Sequence, residues 1–180
     1  MFKIHRLKSP SVANKVAAFL TGGAAFTQTW APGEKTVVKK AVRTSLRGRR
    51  HAYWYIENDQ KEIIAAIGVR ENALRSGGFE MVDDYLAVHK NYRRQGLGNQ
   101  LLSAAERYVR EKKGRYIYIE SCDLDSYRPA NQFYLKNGYR VVGTVPDYYV
   151  PGEGRVDYFK SFSHPSPTKK PPPSCGLPIN

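Results

Sequence analysis

The sequence predicts a mixed α/β fold, one sheet of about six to seven strands with about four helices packed on it. Three observations predict it. Short runs rich in β-branched and aromatic residues, bounded by Gly, Pro, Asn and Asp, recur along the chain. Between them lie stretches whose apolar residues fall at helical spacing. The chain has 180 residues, of which 41% are apolar, enough for one sizeable core.

Taken in order, Phe2 to Leu7 reads as a strand. Ser9-Pro10 follows as a cap with proline at the first helical position, and the helix carries Val12, Val16, Phe19 and Leu20 on one face. A second helix from about Lys35 to Leu46 has Val38, Val42 and Leu46 in register. His51 to Glu57 and Glu62 to Arg70 read as hairpin strands joined by Asn58 and Asp59. Ser76-Gly77-Gly78 turns the chain into a strand ending at Val88. Leu97, Leu101, Ala105 and Tyr108, with Leu102 and Val109 beside them, define a third helix. Arg115 to Glu120 reads as a buried strand, followed by a polar stretch from Ser121 to Pro129. Tyr139 to Val145 and Arg155 to Phe162 close the sheet around a Pro/Gly loop at Val150 to Gly154, and there is no internal repeat.

The segment from Leu86 to Gln100 carries the chemistry. An apolar strand end, Leu86-Ala87-Val88, leads through Arg93, Arg94 and Gln95 to Gly96-Leu97-Gly98-Asn99 at a helix start. Such a start has backbone N–H groups without intrahelical partners and partial positive charge, so it attracts an anion. Gly96 and Gly98 permit close approach of a phosphate, and the two arginines add charge-assisted donors. There is no Gly-x-x-x-x-Gly-Lys-Ser/Thr, which argues against a P-loop nucleotide hydrolase. The third glycine of a Rossmann fingerprint is absent, since Leu101 stands there.

What Arg93, Gly96 and Gly98 do match is Arg/Gln-x-x-Gly-x-Gly/Ala, and this resembles the acyl-CoA signature of the GNAT superfamily of N-acyltransferases. Further on, Ala130-Asn131-Gln132-Phe133-Tyr134-Leu135-Lys136-Asn137-Gly138-Tyr139 resembles the family's second signature, Ala-x-x-Phe-Tyr-x-x-x-Gly-Phe, a short helix ending at a glycine. Gly138 suits a left-handed helix C-cap. The resemblance covers roughly Met1 to Phe162 and is closest in pattern to ribosomal-protein-type N-terminal acetyltransferases. It implies a mostly antiparallel twisted sheet and acetyl-CoA as co-substrate, with no metal. It also implies that the backbone of Leu86, Ala87 and Val88 binds the pantetheine arm like an added strand. Residues Arg93, Arg94, Gln95, Gly96, Leu97, Gly98 and Asn99 would then hold the pyrophosphate. One position departs from the pattern: Tyr127 stands where many relatives have asparagine, with Asn131 a substitute at a different offset.

The reaction the resemblance implies is acyl transfer to a primary amine. Presenting a lysine amine neutral at pH 7 costs roughly 4.6 kcal/mol, against about 1 kcal/mol for an α-amine. The site therefore needs a general base, an acid for the departing thiolate and a donor for the thioester oxygen. Tyr134 occupies the family's tyrosine position near the coenzyme A sulfur and is the candidate acid. Glu120, at the end of an apolar strand, matches a glutamate of the N-terminal acetyltransferases and is the candidate base. Asp84 is the second, on the side of Leu86 and Val88 if strand alternation holds, and Glu80 and Asp83 complete the set. Tyr148 and Tyr149, before the Pro/Gly loop, resemble an acceptor-side hairpin, which favours a peptide or protein amine over a small-molecule amine. A non-catalytic acyl-CoA or nucleic-acid binder on the same fold is the alternative.

The net charge is +13, and part of it stands in Lys35, Lys39, Lys40, Arg43, Arg47, Arg49 and Arg50. This stripe suits an acidic or nucleic-acid-associated partner, or simply a solvated helix face. No apolar run spans a bilayer and no secretory signal precedes the first strand, so a cytoplasmic, reducing home is expected, with monomer and homodimer both open. The two cysteines, Cys122 and Cys175, agree with that. From Ser163 the Pro- and Lys-rich composition predicts a flexible tail of residues 163–180 beyond a catalytic domain of residues 1–162.

Overall fold

A computed structural model describes residues 2–26, 30 and 32–162. The Pro-rich tail expected from Ser163 lies outside the described residues. The elements run β1 (Ile4–Arg6), α1 (Pro10–Leu20), α2 (Glu34–Ser45), β2 (His51–Glu57), β3 (Ile63–Glu71), β4 (Gly78–Met81), β5 (Leu86–Val88), α3 (Leu97–Glu111), β6 (Tyr116–Cys122), α4 (Arg128–Lys136), β7 (Arg140–Val150) and β8 (Glu153–Ser161).

The eight strands form one sheet in the order β1-β2-β3-β4-β6-β8-β7, with β5 paired to β3 beyond the end of β4. Every pairing is antiparallel except β4 with β6. The mixed α/β expectation holds, with one strand more than anticipated. The segment ending at Val88 is broken into β4 and β5 because the bend between them turns Asp84 into the interior, where it meets His51 and Arg70.

Helices cover both faces of the sheet, which is why β2 and β3 are buried almost throughout instead of alternating. On β2 the two-residue period still assigns neighbours: Trp54 and Ile56 pack with Leu101, Leu102 and Val109 of α3, whereas Tyr53 and Tyr55 pack with Val16 and Leu20 of α1 and Val38 and Val42 of α2. On β6 the same period sends Ile117 and Ile119 into the α3 core and leaves Tyr118 and Glu120 on the α1/α2 face.

Local chemistry differs from expectation in three places. Ser9 stands at the N-cap of α1 before Pro10, but its hydroxyl meets the Ser11 hydroxyl at 2.9 Å instead of a backbone N–H. The polar stretch after Glu120 is not all loop: Ser121 and Cys122 extend β6, and α4 already starts at Arg128. Strand β7 runs through Tyr148 and Tyr149 to Val150, so the turn shortens to Pro151-Gly152. Gly138, at φ 80°, does take the left-handed conformation just past α4. No helix of the described residues is long and apolar enough to cross a membrane.

Candidate active site

The site begins with two strands that part. Strands β4 and β6 pair in parallel from Gly78 opposite Tyr116 to Met81 opposite Ile119. Beyond that point β5 pairs only with β3, and Glu120 to Cys122 pair only with β8. Strand β2 already occupies the other edge of β3, so β5 and the end of β6 face one another across a wedge. Neither facing edge has a ladder partner among the described residues. Unpaired strand edges offer backbone donors and acceptors to an extended ligand.

At the mouth of the wedge the chain passes from β5 into α3. Arg94 at φ 63° and Gly96 at φ 79° turn it sharply enough for α3 to start at Leu97. Gln100 N–H already donates to the Gly96 carbonyl at 3.1 Å, which leaves the N–H groups of Leu97, Gly98 and Asn99 as the first-turn donors. A Cβ on Gly98 would lie 3.3 Å from the Phe133 ring, so this glycine lets α3 close on α4. Arg94, Gln95, Gly96 and Asn99 are exposed, whereas the Leu97 side chain is buried and offers the site only its backbone.

Two residues of the cradle are employed differently from the sequence expectation. Arg93 donates from Nε to the Val88 carbonyl at 3.2 Å and from Nη2 to the Ala25 carbonyl at 3.0 Å. It fastens the loop to the end of β5, with its other guanidinium N–H groups left for an anion. Asn99 Oδ1 accepts from Asn137 Nδ2 at 3.1 Å, joining the start of α3 to the end of α4.

Tyr134 stands on the α3/α4 side of the wedge. Its ring lies 5.5 Å from Phe133, 6.0 Å from Tyr139 and 5.5 Å from Tyr158. Burial, and then the neighbouring Tyr158 hydroxyl, push its pKa well up, so the phenol keeps its proton. One turn earlier on α4, Asn131 donates from Nδ2 to the Cys122 carbonyl at 2.9 Å and accepts from the Ser121 hydroxyl at 2.8 Å. Both ends of the amide are thus spent on fixing α4 to β6, which sets the height of Tyr134 against the wedge.

Glu120 stands on the opposite face. It accepts from the Tyr118 hydroxyl at 3.3 Å and lies 3.6 Å from Arg155 Nη1. Burial raises its pKa and outweighs the opposing pull of Arg155. The other three acids are gathered elsewhere, around one arginine. Arg70 Nε meets Glu80 at 3.0 Å, its Nη2 meets Asp83 at 2.7 Å and its Nη1 meets Asp84 at 3.1 Å. Asp84 is fully buried and also bound to His51 Nε2 at 2.6 Å. It lies in the bend between β4 and β5, off any strand, so the alternation expected to align it with Leu86 and Val88 does not apply.

Tyr148 and Tyr149 stack edge to face at 4.9 Å on the exposed side of β7. Burial, and after it the charge of Glu120, raise the Tyr149 pKa, which puts the hairpin within electrostatic reach of the candidate base. Sequence reasoning missed Arg155. It lies 2.9 Å from Asp157 and 4.4 Å from the Tyr148 ring centroid while facing Glu120, so it organises both the carboxylate and the hairpin. Only the tertiary pairing of β6 with β8 reveals it. Tyr85 was missed too; it donates to Glu34 at 2.6 Å and packs with Phe26 and Trp30, forming an aromatic wall on the α2 side. Among the described residues no group of three or more His, Cys, Asp or Glu is placed to hold a metal.

A wedge between parting strands with a helix start at its mouth offers backbone donors of the kind that suit a phosphate-bearing ligand. The sequence pattern of the GNAT acetyltransferase domain matches residues 49–141, just over half the chain, and the chain belongs to that family of acetyltransferases. No curated protein matches the sequence at a significant level. Among solved structures, a GNAT-family protein from Desulfovibrio desulfuricans superposes with a TM-score of 0.74 at 20% identity, covering 89% of this chain and 99% of the other. An aminoglycoside 6'-N-acetyltransferase complexed with coenzyme A gives 0.69 at 18% identity, covering 91% and 99%. The ribosomal-protein-S18-alanine N-acetyltransferase of Escherichia coli gives 0.68 at 17%, covering 94% and 99%. At these identities the likeness is one of fold.

Proposed function

We propose that the protein moves an acetyl group from acetyl-CoA to a primary amine by direct attack within the wedge. The observation that carries this reading is the bracketing of the wedge by Glu120 on the α1/α2 face and Tyr134 on the α3/α4 face. The pantetheine arm would lie along the open edge of β5 at Leu86, Ala87 and Val88. The pyrophosphate would sit on the N–H groups of Leu97, Gly98 and Asn99, with Arg93, Arg94 and Gln95 at the rim.

In this scheme the acceptor ammonium gives a proton to Glu120, directly or through a water, and the amine nitrogen attacks the thioester carbon. A backbone N–H on the free edge of β5 stabilises the oxyanion. Collapse breaks the carbon–sulfur bond, and the coenzyme A thiolate takes the Tyr134 proton. The second proton on the amide nitrogen returns through water to the Tyr134 oxygen, and Glu120 releases the first proton to solvent. The burial that keeps the phenol protonated also raises the proton affinity of a thiolate beside it, so donor and acceptor shift together.

A peptide or protein amine is the favoured acceptor, on the exposed tyrosine pair of the β7–β8 hairpin. Glu34, Glu120, Asp123 and Glu153 around this mouth favour an acceptor with positive charge near its amine. The same acids favour a small polyamine if peptides fail.

The test is coenzyme A thiol release from acetyl-CoA across peptides with free α-amines or lysines, polyamines and neutral amines. Turnover with cationic acceptors supports the reading. Tight coenzyme A binding with no turnover on any amine would replace it with a binding module.

A further inference from the structure

We infer that the pole of the molecule opposite the wedge is a docking surface for double-stranded RNA, held through its phosphate backbone. Three loops meet there: residues 46–50 before β2, residues 72–77 between β3 and β4, and residues 112–115 between α3 and β6. Their meeting is fixed by bonds between them. Arg50 Nη2 donates to the Lys112 carbonyl at 2.9 Å, the Tyr108 hydroxyl donates to the Arg49 carbonyl at 3.1 Å, and Arg115 Nε donates to the Ser76 carbonyl at 2.9 Å. Arg115 N–H adds a bond to the Gly77 carbonyl at 2.7 Å.

These loops hold seven Lys and Arg residues and no Asp or Glu. Arg50 is engaged internally with Glu71 at 2.7 Å, whereas Arg47, Arg49, Arg75, Lys113 and Arg115 are exposed. At the wedge end two segments are acidic instead, with Asp83, Asp84, Asp123 and Asp125 and no base in residues 82–85 and 123–127, beside the arginines of the cradle. Seven of the 29 Lys and Arg residues thus stand at this pole, about 20 Å along β6 from Cys122 at strand rise. Only the C-terminal end of α2 approaches this pole, whereas Lys35 at its start stands over Trp30 at the wedge end.

The chemistry of the surface selects the partner. A protein partner needs a buried apolar centre within a polar rim, and Leu74 is the one large apolar side chain these loops expose. One leucine also gives little insertion into a membrane interface. No aromatic residue stands within the three loops, and the flanking rings of Tyr116 and Phe162 are each capped by an arginine, Arg115 and Arg110, which disfavours stacking of unpaired bases. Helices α2 and α3 end at this pole and present no N-terminal turn to it, so no helix is offered to a DNA major groove. A low, arginine-rich loop surface suits the wide, shallow minor groove of an A-form duplex and its flanking phosphates.

The experiment is fluorescence anisotropy of the full chain with a labelled RNA duplex of about 20 base pairs, titrated at several salt concentrations. We expect micromolar binding with a steep salt dependence. Combined Arg47→Ala, Arg49→Ala, Arg75→Ala and Lys113→Ala should weaken it at least about tenfold and lower the log–log salt slope by roughly three to four. The same number of charges removed from α2 by Lys35→Ala, Lys39→Ala, Lys40→Ala and Arg43→Ala should do much less. Acetyl transfer to a peptide should be unchanged in the pole variant, which shows that it is folded. Equal losses from the two variants, no salt dependence, or tighter binding of a DNA duplex, polyglutamate or anionic vesicles would each overturn the inference.

Discussion

At the scale of single residues, the distinction that matters is between acids that can reach a substrate and acids that hold the protein together. Glu120 must be ionised to act as a base, and burial raises its pKa above the ordinary 4.5. Its kcat/KM profile should therefore lose activity as pH falls through that raised value, and Glu120→Gln should abolish this acid limb while cutting kcat by roughly 10²–10⁴. A carboxylate whose pKa is raised by folding contributes stability at low pH and loses it as pH rises through the raised value. At neutral pH the ionised Glu120 works against folding, so Glu120→Gln should hold or raise the melting temperature. Asp84 predicts the reverse pattern. Removing its charge strands Arg70 and His51 in the interior, and Asp84→Asn should cost about 3–5 kcal/mol in urea unfolding while kcat per folded molecule stays near wild type. Tyr134→Phe removes one hydroxyl from a packed aromatic cluster; kcat should fall at least about tenfold with coenzyme A affinity preserved, and full activity would remove the acid role.

At the scale of elements, the start of α3 and the end of α4 form one unit. Gly98 lets the helices close at Phe133, Asn99 bonds Asn137, and Asn131 fixes α4 to β6. A valine at position 98 would push against the Phe133 ring and stand between the backbone and an approaching phosphate. Gly98→Val should therefore weaken coenzyme A binding more than tenfold by calorimetry, an expected loss of about 1.4 kcal/mol or more. Gly96 has open space around its Cβ position but a φ of 79°, so Gly96→Ala should cost about 1–2 kcal/mol of stability through backbone strain alone. The two glycines of one motif thus serve different ends, and a paired measurement of stability and affinity separates them.

At the scale of the whole molecule, two strand edges face one another across the wedge without ladder partners among the described residues, and a cofactor lying along β5 would pair with one of them. Saturating coenzyme A at about 100 times its Kd stabilises by about 2.7 kcal/mol, so the melting temperature should rise by about 5–10 °C, as scanning calorimetry would show. An absent shift would count against the cofactor's place in the wedge. At this scale too, seven Lys and Arg residues without an acid gather in the three loops of the far pole. The sequence expectation of an acidic or nucleic-acid-associated partner rests on the basic second helix, whereas Glu120, Asp123 and Glu153 stand near the β7–β8 hairpin.

Much of the fold was legible because its signals are local. Apolar periodicity marked three helices and the second signature the fourth, β-branched runs marked the strands, Gly96 and Gly138 stand at positive φ, and Gly98 stands where α3 closes on Phe133. The family pattern was legible for the same reason, since both signatures lie in continuous stretches. What the sequence could not carry was pairing between distant segments. Whether Glu120 or Asp84 faces the substrate depends on where β4 leaves β6, and that depends on a bend held by His51 and Arg70 from two other strands. Arg155 meets Glu120 only because β8 pairs with β6, and the basic pole exists only because loops far apart in sequence meet at one end of the sheet. The sequence by itself determined the local elements and the family pattern, because each rests on neighbours within a few turns. The tertiary structure alone decided which carboxylates are locked onto Arg70 and which basic loops meet at the far pole, because burial and Coulomb interaction depend on distance in space and not along the chain.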